Sequence, residues 1–178
     1  YLKFLLVLHR LPVKFLAAPF VDIGCGTGTA ALAWTSIVGP RPEHIKNSVC
    51  LDRDAEQIVA ATKSLGNKPS FVTQPQFLSA SFPNWKVPDE HIALMSFSLC
   101  ELLAENHSFQ EIVDALPSRF VIADYRETIT ELLGQAGDRF YGTDIVQSTF
   151  ELSDELAELF QQKTLKVIGA YGHKRSGR

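Results

Sequence analysis

The sequence is poor in cysteine, and its three cysteines, Cys25, Cys50 and Cys100, lie far apart. Their positions match neither the ligand spacing of a zinc site nor a disulfide framework. The five histidines show no paired ligand spacing either, so we expect no metal ion. Scattered cysteines within or beside apolar runs are typical of reduced thiols, which predicts an intracellular, cytoplasmic protein.

The sequence also lacks an apolar run long enough to cross a membrane. The apolar stretch 4–8 follows Lys3 and is soon interrupted by His9, Arg10 and Pro12. No small-residue cleavage site follows it, so a helix that covers the fold is favoured over a signal peptide. We therefore expect no membrane partner.

Neither sign of charge dominates the composition. The formal net charge is −3 and the isoelectric point is near 6.0, which argues against a nucleic-acid footprint over the whole surface. With 178 residues, 46% of them hydrophobic, the chain can form one domain with a sizeable core. We expect a single domain over 1–178, with a covering helix in 1–17 and a solvated basic tail in 171–178. Contact of this tail with RNA or an acidic partner is the alternative.

Short apolar runs alternate with helical patterns along the chain. Strands are predicted at 20–23, 48–52, 70–73, 92–97, 120–124, 144–152 and 165–170. A helix is predicted over 101–116, and Asp54 with Gln57 fits the reciprocal capping pattern at the start of an earlier helix. The alternation predicts an α/β fold, a three-layer sandwich with a mostly parallel sheet and helices on both faces. The last strand–helix–strand segment breaks the rhythm and predicts antiparallel pairing there.

The first predicted strand is followed at once by three alternate glycines, Gly24, Gly26 and Gly28. Glycines remove Cβ atoms where a ligand would approach the backbone, and the next helix directs its free N–H groups to the same point. Ligands of open parallel sheets bind outside the carboxyl ends of the strands. The candidate site residues therefore lie within 22–28, 52–53, 79–81, 96–101 and 124–126.

The stretch 22–28, Asp-Ile-Gly-Cys-Gly-Thr-Gly, resembles the nucleotide-binding motif of class I S-adenosylmethionine-dependent methyltransferases. That motif is an acidic residue followed by Gly-x-Gly-x-Gly. Asp52 matches the second acidic residue of the family, and 92–99 resembles its fourth strand and the following turn. The match in element order covers about 15–170. The resemblance implies a seven-stranded sheet with an antiparallel last strand, S-adenosylmethionine as cofactor, and methyl transfer to an acceptor.

The resemblance also implies a cofactor site, which comprises Asp22, Gly24, Cys25, Gly26, Gly28, Asp52, Arg53, Ser79, Ser96 and Phe97. Asp22 would hold the amino group of the cofactor, directly or through water, beside the bare backbone of 24–26. Asp52 would accept hydrogen bonds from both ribose hydroxyls, and Arg53 would lie against the adenine. Ser96 and Phe97 would lie near the transferring methyl group.

The sequence departs from the family pattern at two strand ends. No acidic residue occurs in 77–81, where many relatives contact the adenine, and Ser79 or a backbone N–H would have to substitute. The fourth strand is followed by Ser96-Phe97-Ser98-Leu99 and not by the Asn/Asp-Pro-Pro-Tyr/Phe of amino-directed nucleic-acid enzymes, so that route is disfavoured. Glu101 is the one candidate for a catalytic base, although a role as a first-turn acid that complements the helix N-terminus is favoured for it.

Two other functions remain open. The pattern Gly26-x-Gly28-x-x-Ala31 is compatible with a dinucleotide-binding enzyme, such as an NAD-dependent oxidoreductase. A methyltransferase-like binding or assembly module without turnover is favoured by the missing acid after the third strand and by His91, which stands close to the place of the usual Asp. For the enzyme, a small-molecule acceptor is favoured, and an RNA or protein acceptor is possible.

Overall fold

The computed structural model describes residues 2–71 and 73–174, which form nine α-helices and seven β-strands. The helices are α1 (Leu2–Leu8), α2 (Val13–Leu16), α3 (Thr29–Val38), α4 (Pro42–Lys46), α5 (Ala55–Gly66), α6 (Leu99–Ala104), α7 (Phe109–Ala115), α8 (Arg126–Ala136) and α9 (Asp154–Phe160). The strands are β1 (Phe20–Ile23), β2 (Val49–Asp52), β3 (Gln76–Ser79), β4 (Ile92–Ser96), β5 (Arg119–Ala123), β6 (Phe140–Glu151) and β7 (Thr164–Lys174). Within the described residues, no helix is both long and apolar enough to cross a membrane.

The strands form one sheet in the order β3-β2-β1-β4-β5-β7-β6. β1 to β5 pair in parallel, and β7 pairs antiparallel with both β5 and β6. β7 can reverse direction because β6 and β7 are joined at adjacent ends, where Glu151 pairs with Thr164. The predicted mostly parallel sheet with an antiparallel last strand is confirmed, and the edge strand beside it is β6.

The sheet is buried between two layers of helices. Successive residues of β2 point to opposite faces, so Cys50 packs with one core cluster while Val49 and Leu51 pack with the other. Helices α1, α3 and α5 cover the first face, and α6, α7 and α8 cover the second. This arrangement confirms the predicted three-layer sandwich and leaves the carboxyl ends of the parallel strands open at one edge.

The N-terminal segment predicted as one covering helix forms two helices, α1 and α2, separated by Pro12. α1 packs closely on the sheet above Gly169 of β7. A Cβ atom at Gly169 would lie 2.7 Å from the methyl groups of Val7 and 2.8 Å from the carbonyl oxygen of Ile122. The missing side chain at Gly169 is therefore what lets α1 reach the sheet.

The predicted third strand over 70–73 is wrong. Pro69–Phe71 is a short 3-10 helix, Val72 lies outside the described residues, and β3 begins at Gln76. β3 lies at the edge of the sheet, and its only apolar side chains, Phe77 and Leu78, are half-buried on opposite faces. β3 therefore has no apolar run that would indicate a strand. The predicted strand was placed at Phe71, which is apolar because it is a buried core residue.

The single helix predicted over 101–116 is also wrong, since α6 ends at Ala104 and α7 begins at Phe109. Ser108 and Glu111 form a reciprocal capping box that starts the second helix. The Ser108 hydroxyl accepts from the Glu111 backbone N–H at 3.2 Å, and the Glu111 carboxylate accepts from the Ser108 backbone N–H at 2.8 Å. The sequence contains this Ser-x-x-Glu capping signal, but the helical spacing of apolar residues on both sides of it indicated a single helix.

The predicted basic tail 171–178 begins later than expected, because residues 171–174 belong to β7. The Lys174 ammonium donates to the carbonyl oxygens of Asp114 and Leu116 at the end of α7, at 2.8 and 2.7 Å. A cation there satisfies carbonyls that the helix leaves free. Residues 175–178 lie outside the described residues.

The packing of α1 predicts that Gly169→Ala destabilises the protein by about 1–3 kcal/mol, since the new methyl group must displace Val7 or the β5 backbone. Gly134→Ala is the matched control, because Gly134 is an exposed residue inside α8 and its Cβ would meet nothing within 4 Å. The control should gain about 0.5–1 kcal/mol from helix propensity. Urea unfolding monitored by circular dichroism measures both, and equal stability of the two variants would contradict this account of α1.

Candidate functional site

The turn between β1 and α3 requires its three glycines for different reasons. Gly24, Gly26 and Gly28 have φ angles of +63°, +50° and +82°, a region that side chains rarely adopt. A Cβ at Gly24 would lie 2.7 Å from the Cβ of Ser98, and a Cβ at Gly28 would lie 2.9 Å from Leu65. A Cβ at Gly26 would meet nothing closer than 3.9 Å. Gly24 and Gly28 thus let the turn pack against the chain, and Gly26 opens on a cavity.

Asp52 at the end of β2 holds this turn in place. Its Oδ2 accepts from the backbone N–H of Gly26 at 3.0 Å, and its Oδ1 accepts from that of Asp54 at 3.0 Å. The Cys25 backbone N–H donates to the Leu51 carbonyl oxygen at 3.0 Å. Each carboxylate oxygen keeps a second lone pair, so Asp52 can still accept hydrogen bonds from a ligand.

The capping pattern predicted for Asp54 and Gln57 is only half present. The Asp54 carboxylate accepts from the backbone N–H of Glu56 at 2.8 Å and so caps α5. The Asp54 backbone N–H, which a reciprocal cap would have bound to Gln57, donates to Asp52 instead. The Gln57 side chain is therefore released from capping and lines the cavity.

Asp22 is buried beneath the same turn, with 1% of its surface exposed. Its Oδ2 accepts from the backbone N–H of Ala31 at 3.0 Å, in the first turn of α3, where the N-cap residue Gly28 has no side chain to do so. Burial raises the pKa of Asp22 to about 8, and the nearby Asp52 carboxylate adds to the rise, while the hydrogen bond from Ala31 opposes it. Without a cation beside it, Asp22 is therefore mostly protonated at neutral pH.

A cavity of about 540 Å³ opens at the carboxyl ends of β1, β2 and β4. Its lining residues come from the glycine turn and three strand ends, and they are Asp22, Gly24, Cys25, Gly26, Thr27, Thr29, Ala30, Asp52, Arg53, Asp54, Gln57, Ser96, Phe97 and Glu101. Eight of the ten predicted cofactor residues lie in this lining, together with the predicted base candidate Glu101. We call it the glycine-turn cavity.

Two predicted cofactor residues, Gly28 and Ser79, line neither the glycine-turn cavity nor the smaller cavity beside it, which is described below. Gly28 packs against Leu65 of α5, and the Ser79 hydroxyl points to the Arg53 carbonyl oxygen at 3.4 Å. The residues that follow β3, Ala80 and Ser81, reach the ligand side instead. The candidate range 79–81 thus contained both residues that reach this edge, although Ser79 was the one assigned to the cofactor.

A smaller cavity adjoins the first one and shares Gly24, Asp52, Arg53 and Glu101 with it. Its remaining walls are mainly apolar and are formed by Ile23, Leu51, Ala80, Ser81, Phe82, Ser98, Leu102 and Glu105. An apolar slot beside polar groups suits a flat ring. We call it the apolar slot.

Ser98 lines this slot and falls within the candidate range 96–101, but sequence reasoning gave it no role of its own. It is 3% exposed, and its Oγ has no hydrogen-bond partner among the described residues. It stands at the N-cap position of α6 but makes no capping bond. A buried hydroxyl without a partner costs about 1–3 kcal/mol, so its retention here favours a ligand that supplies one. The only sequence signal was its position after the fourth strand.

Arg53 lies between the two cavities and is held by an ion pair. Its Nη1 is 2.6 Å from Oε2 of Glu105, the residue that follows α6, with 62% and 23% of the two side chains exposed. An ion pair this exposed contributes at most about 1 kcal/mol, so a ligand can displace it. The predicted position of Arg53 against an adenine is compatible with this site.

Phe97 follows β4 in a strained backbone conformation, with φ at +63°. Such an angle is an outlier for a bulky residue and costs about 1–3 kcal/mol. Its backbone N–H donates to the Ala123 carbonyl oxygen at 2.8 Å, and its ring stands edge-on to that of Tyr125 with the centroids 5.9 Å apart. This conformation places Phe97 between the glycine-turn cavity and another cavity next to it.

Two of the three cysteines, Cys50 and Cys100, are unsuited to nucleophilic catalysis. All three are free thiols. A hydrogen bond with Cys25, together with burial, raises the pKa of Cys50 well above its ordinary value. Burial raises the pKa of Cys100 to about 11, so its thiolate is scarce at neutral pH. Among the described residues, no group of three or more potential ligands is placed to hold a metal ion.

The fold is shared with solved structures of methyltransferases. Precorrin-6y C5,15-methyltransferase from Geobacter metallireducens matches with a TM-score of 0.62 and 16% identity, over 92% of this chain and 85% of that one. An S-adenosylmethionine-dependent O-methyltransferase from Thermotoga maritima matches with a TM-score of 0.64 and 13% identity, over 93% and 64%. The tRNA (m1A58) methyltransferase from Aquifex aeolicus matches with a TM-score of 0.56 and 13% identity, over 98% and 68%.

This likeness shows that the chain has the fold of class I S-adenosylmethionine-dependent methyltransferases. No protein-family model matches the sequence, and no curated protein matches it as a relative. The identities of 13–16% are too low to carry substrate or activity from these structures to this chain.

The burial of Asp22 predicts a pH-dependent stability. Between the pKa of Asp in the unfolded chain, near 4, and about 8 in the fold, only the unfolded state ionises, so the free energy of unfolding falls as pH rises. Asp22→Asn does not titrate and can still accept from Ala31. The free energy of unfolding of Asp22→Asn minus that of the parent should therefore be at least about 1 kcal/mol larger at pH 8 than at pH 5. Urea unfolding at both pH values measures this, and a pH-independent difference would show that Asp22 titrates normally.

Proposed function

We propose that this protein is an S-adenosylmethionine-dependent methyltransferase whose glycine-turn cavity and apolar slot together hold the cofactor. The observation that carries the proposal is the pair of adjoining cavities at the three-glycine turn. Their walls include the acids Asp22 and Asp52 and the buried Ser98 hydroxyl, which has no partner among the described residues. The fold of known methyltransferases supports it.

The polar groups of the two cavities fit the parts of S-adenosylmethionine. Asp22 is a buried acid that becomes a favourable anion beside the ammonium of the methionine part. Asp52 has lone pairs left for the ribose hydroxyls after it binds the Gly26 and Asp54 backbone N–H groups. The apolar slot suits the adenine. The chain lacks the acidic residue that would contact this ring after β3, and the Ser98 hydroxyl offers it a hydrogen bond instead.

When bound, S-adenosylmethionine would supply a methyl group on a positively charged sulfur, and an acceptor nucleophile would bond to that carbon in line as the carbon–sulfur bond breaks. The chain then has to orient the two reactants and exclude water. Ser96 and Phe97 lie where the glycine-turn cavity approaches the next cavity, and we assign them to shaping the reaction site. Glu101 lines the glycine-turn cavity and is the candidate base for an acceptor that must lose a proton.

The sheet argues against the dinucleotide-binding alternative. Dinucleotide-binding sheets of this type run 3-2-1-4-5-6 with all strands parallel, whereas here antiparallel β7 lies between β5 and β6. The Gly26-x-Gly28-x-x-Ala31 pattern also gives Gly28 a packing role against Leu65, away from the cavity. We therefore do not retain an NAD-binding function.

We propose a small-molecule acceptor. The names of similar structures include both a precorrin methyltransferase and a tRNA methyltransferase, so the fold serves both kinds of acceptor. A small molecule is favoured by the acidic net charge of −3.

The test of the function is transfer of labelled methyl groups from S-adenosylmethionine to fractionated cell extract. Label in the small-molecule fraction is the expected result. Label in RNA or protein would support the enzyme but reject the acceptor class. Binding of the demethylated product S-adenosylhomocysteine with no label in any fraction would favour the binding-module alternative over catalysis.

The unpartnered hydroxyl predicts that Ser98→Ala weakens S-adenosylhomocysteine binding about three- to tenfold, the worth of one hydrogen bond. The ligand-free variant should be as stable as the parent or more so, because no internal bond is lost. Ser64→Ala on α5 is the matched control, since Ser64 lines neither cavity. Calorimetric titration gives the affinities, and an unchanged affinity of Ser98→Ala would remove Ser98 from the site.

A further inference from the structure

A third cavity, of about 340 Å³, lies next to the glycine-turn cavity on the other side of Phe97. It is formed at the ends of β4 and β5, the start of α8, and the parts of β6 and β7 that reach the same edge of the sheet. Lys3 of α1 closes one side. Because Phe97 lines both cavities, a molecule held here lies next to whatever the glycine-turn cavity holds.

Three cations from three separate elements line this cavity, namely Lys3, Arg126 and Lys166. None of them lies within 4.0 Å of a carboxylate among the described residues. Three cations that line one cavity without forming ion pairs repel one another, and an anionic ligand would relieve this repulsion. The arrangement is unusual for a chain whose formal net charge is −3.

The two acids of the lining do not neutralise these cations. Asp124 is buried, and its carboxylate accepts from the backbone N–H groups of Cys100 at 3.1 Å and Tyr125 at 2.8 Å. Glu127 is exposed in the first turn of α8, where an acid suits the helix N-terminus. α8 also begins without a side-chain cap, so its first N–H groups add to the positive potential.

The rest of the lining suits an aromatic or other flat apolar body. Phe97 and Tyr125 stand edge to face, and Ile168 adds an aliphatic wall. The Lys3 ammonium lies 5.3 Å from the centroid of the Phe97 ring, within the range of a cation–π contact. Lys3 thus has its charge held above the boundary between the two cavities.

From this arrangement we propose that the methyl acceptor is a small molecule with a flat apolar body and a carboxylate or phosphate group, whose anion is bound by Lys3, Arg126 and Lys166. The proposal rests on the proposed function, because the acceptor role follows only if the neighbouring cavity holds S-adenosylmethionine. The cavity volume lies in the range of small-molecule sites, about 300–1,000 Å³.

The test is an NMR titration of the full chain with matched probes that differ in charge. The anionic probes are 4-hydroxybenzoate and phenyl phosphate, and the neutral probes are 4-hydroxybenzamide and phenol. We expect each anion to bind at least about tenfold more tightly than its neutral partner, as hydrogen bonds to charged groups allow. Shifted resonances should include those of Phe97, Tyr125 and Ile168.

The triple variant Lys3→Gln, Arg126→Gln, Lys166→Gln should lose this preference, and Arg126→Gln with Lys166→Gln should lose most of it. The double variant does not change α1. A loss of preference in it therefore cannot result from disturbed packing of that helix. Lys63→Gln, on the exposed side of α5, is the matched control and should behave as the parent does.

Equal binding of anionic and neutral probes, or an undiminished preference in the triple variant, would overturn the proposal. Salt-sensitive tRNA binding that the triple variant loses would also overturn it in favour of an RNA acceptor. Because the titration contains no S-adenosylmethionine, its failure leaves the methyltransferase proposal intact. Failure of cofactor binding with a retained anion preference would instead leave an anion site of another function.

Discussion

The carboxylate of Asp52 is the interaction on which this edge of the molecule depends. It joins the glycine turn after β1 to the end of β2 through Gly26 and to the start of α5 through Asp54. The left-handed turn would otherwise have few internal partners, because its glycines carry no side chains. By binding both backbone groups, Asp52 fixes the cavity wall and releases Gln57 from helix capping.

Two polar groups beneath this wall are held in states that a ligand-free fold does not favour. Among the described residues, Asp22 is buried with no cation in an ion pair with it, and the Ser98 hydroxyl is buried with no hydrogen-bond partner. Phe97 adds a strained backbone at the border of the next cavity. Such costs are tolerated where a ligand relieves them, and all three residues lie in the walls of adjoining cavities.

The sequence was sufficient to predict the sheet and much of the site, because these depend on local signals. Apolar runs marked six of the seven strands, and the glycine motif with Asp52 led to eight residues that line the cavity. β3 was misplaced because an edge strand with only Phe77 and Leu78 has no periodic signal. The roles of Ser98, Lys3 and Lys166 could not be predicted. Only tertiary packing shows that the Ser98 hydroxyl has no partner among the described residues, and only tertiary packing brings α1 and β7 to the same cavity.

The most direct measurement is a calorimetric titration with S-adenosylhomocysteine at pH 7 in two buffers of different ionisation enthalpy. Because burial raises the pKa of Asp22 to about 8, the ammonium of the ligand should drive its ionisation, and binding should release a proton to the buffer. Asp22→Asn should bind without this release. Binding to the parent accompanied by proton release is the predicted result, and the absence of any binding would contradict the account.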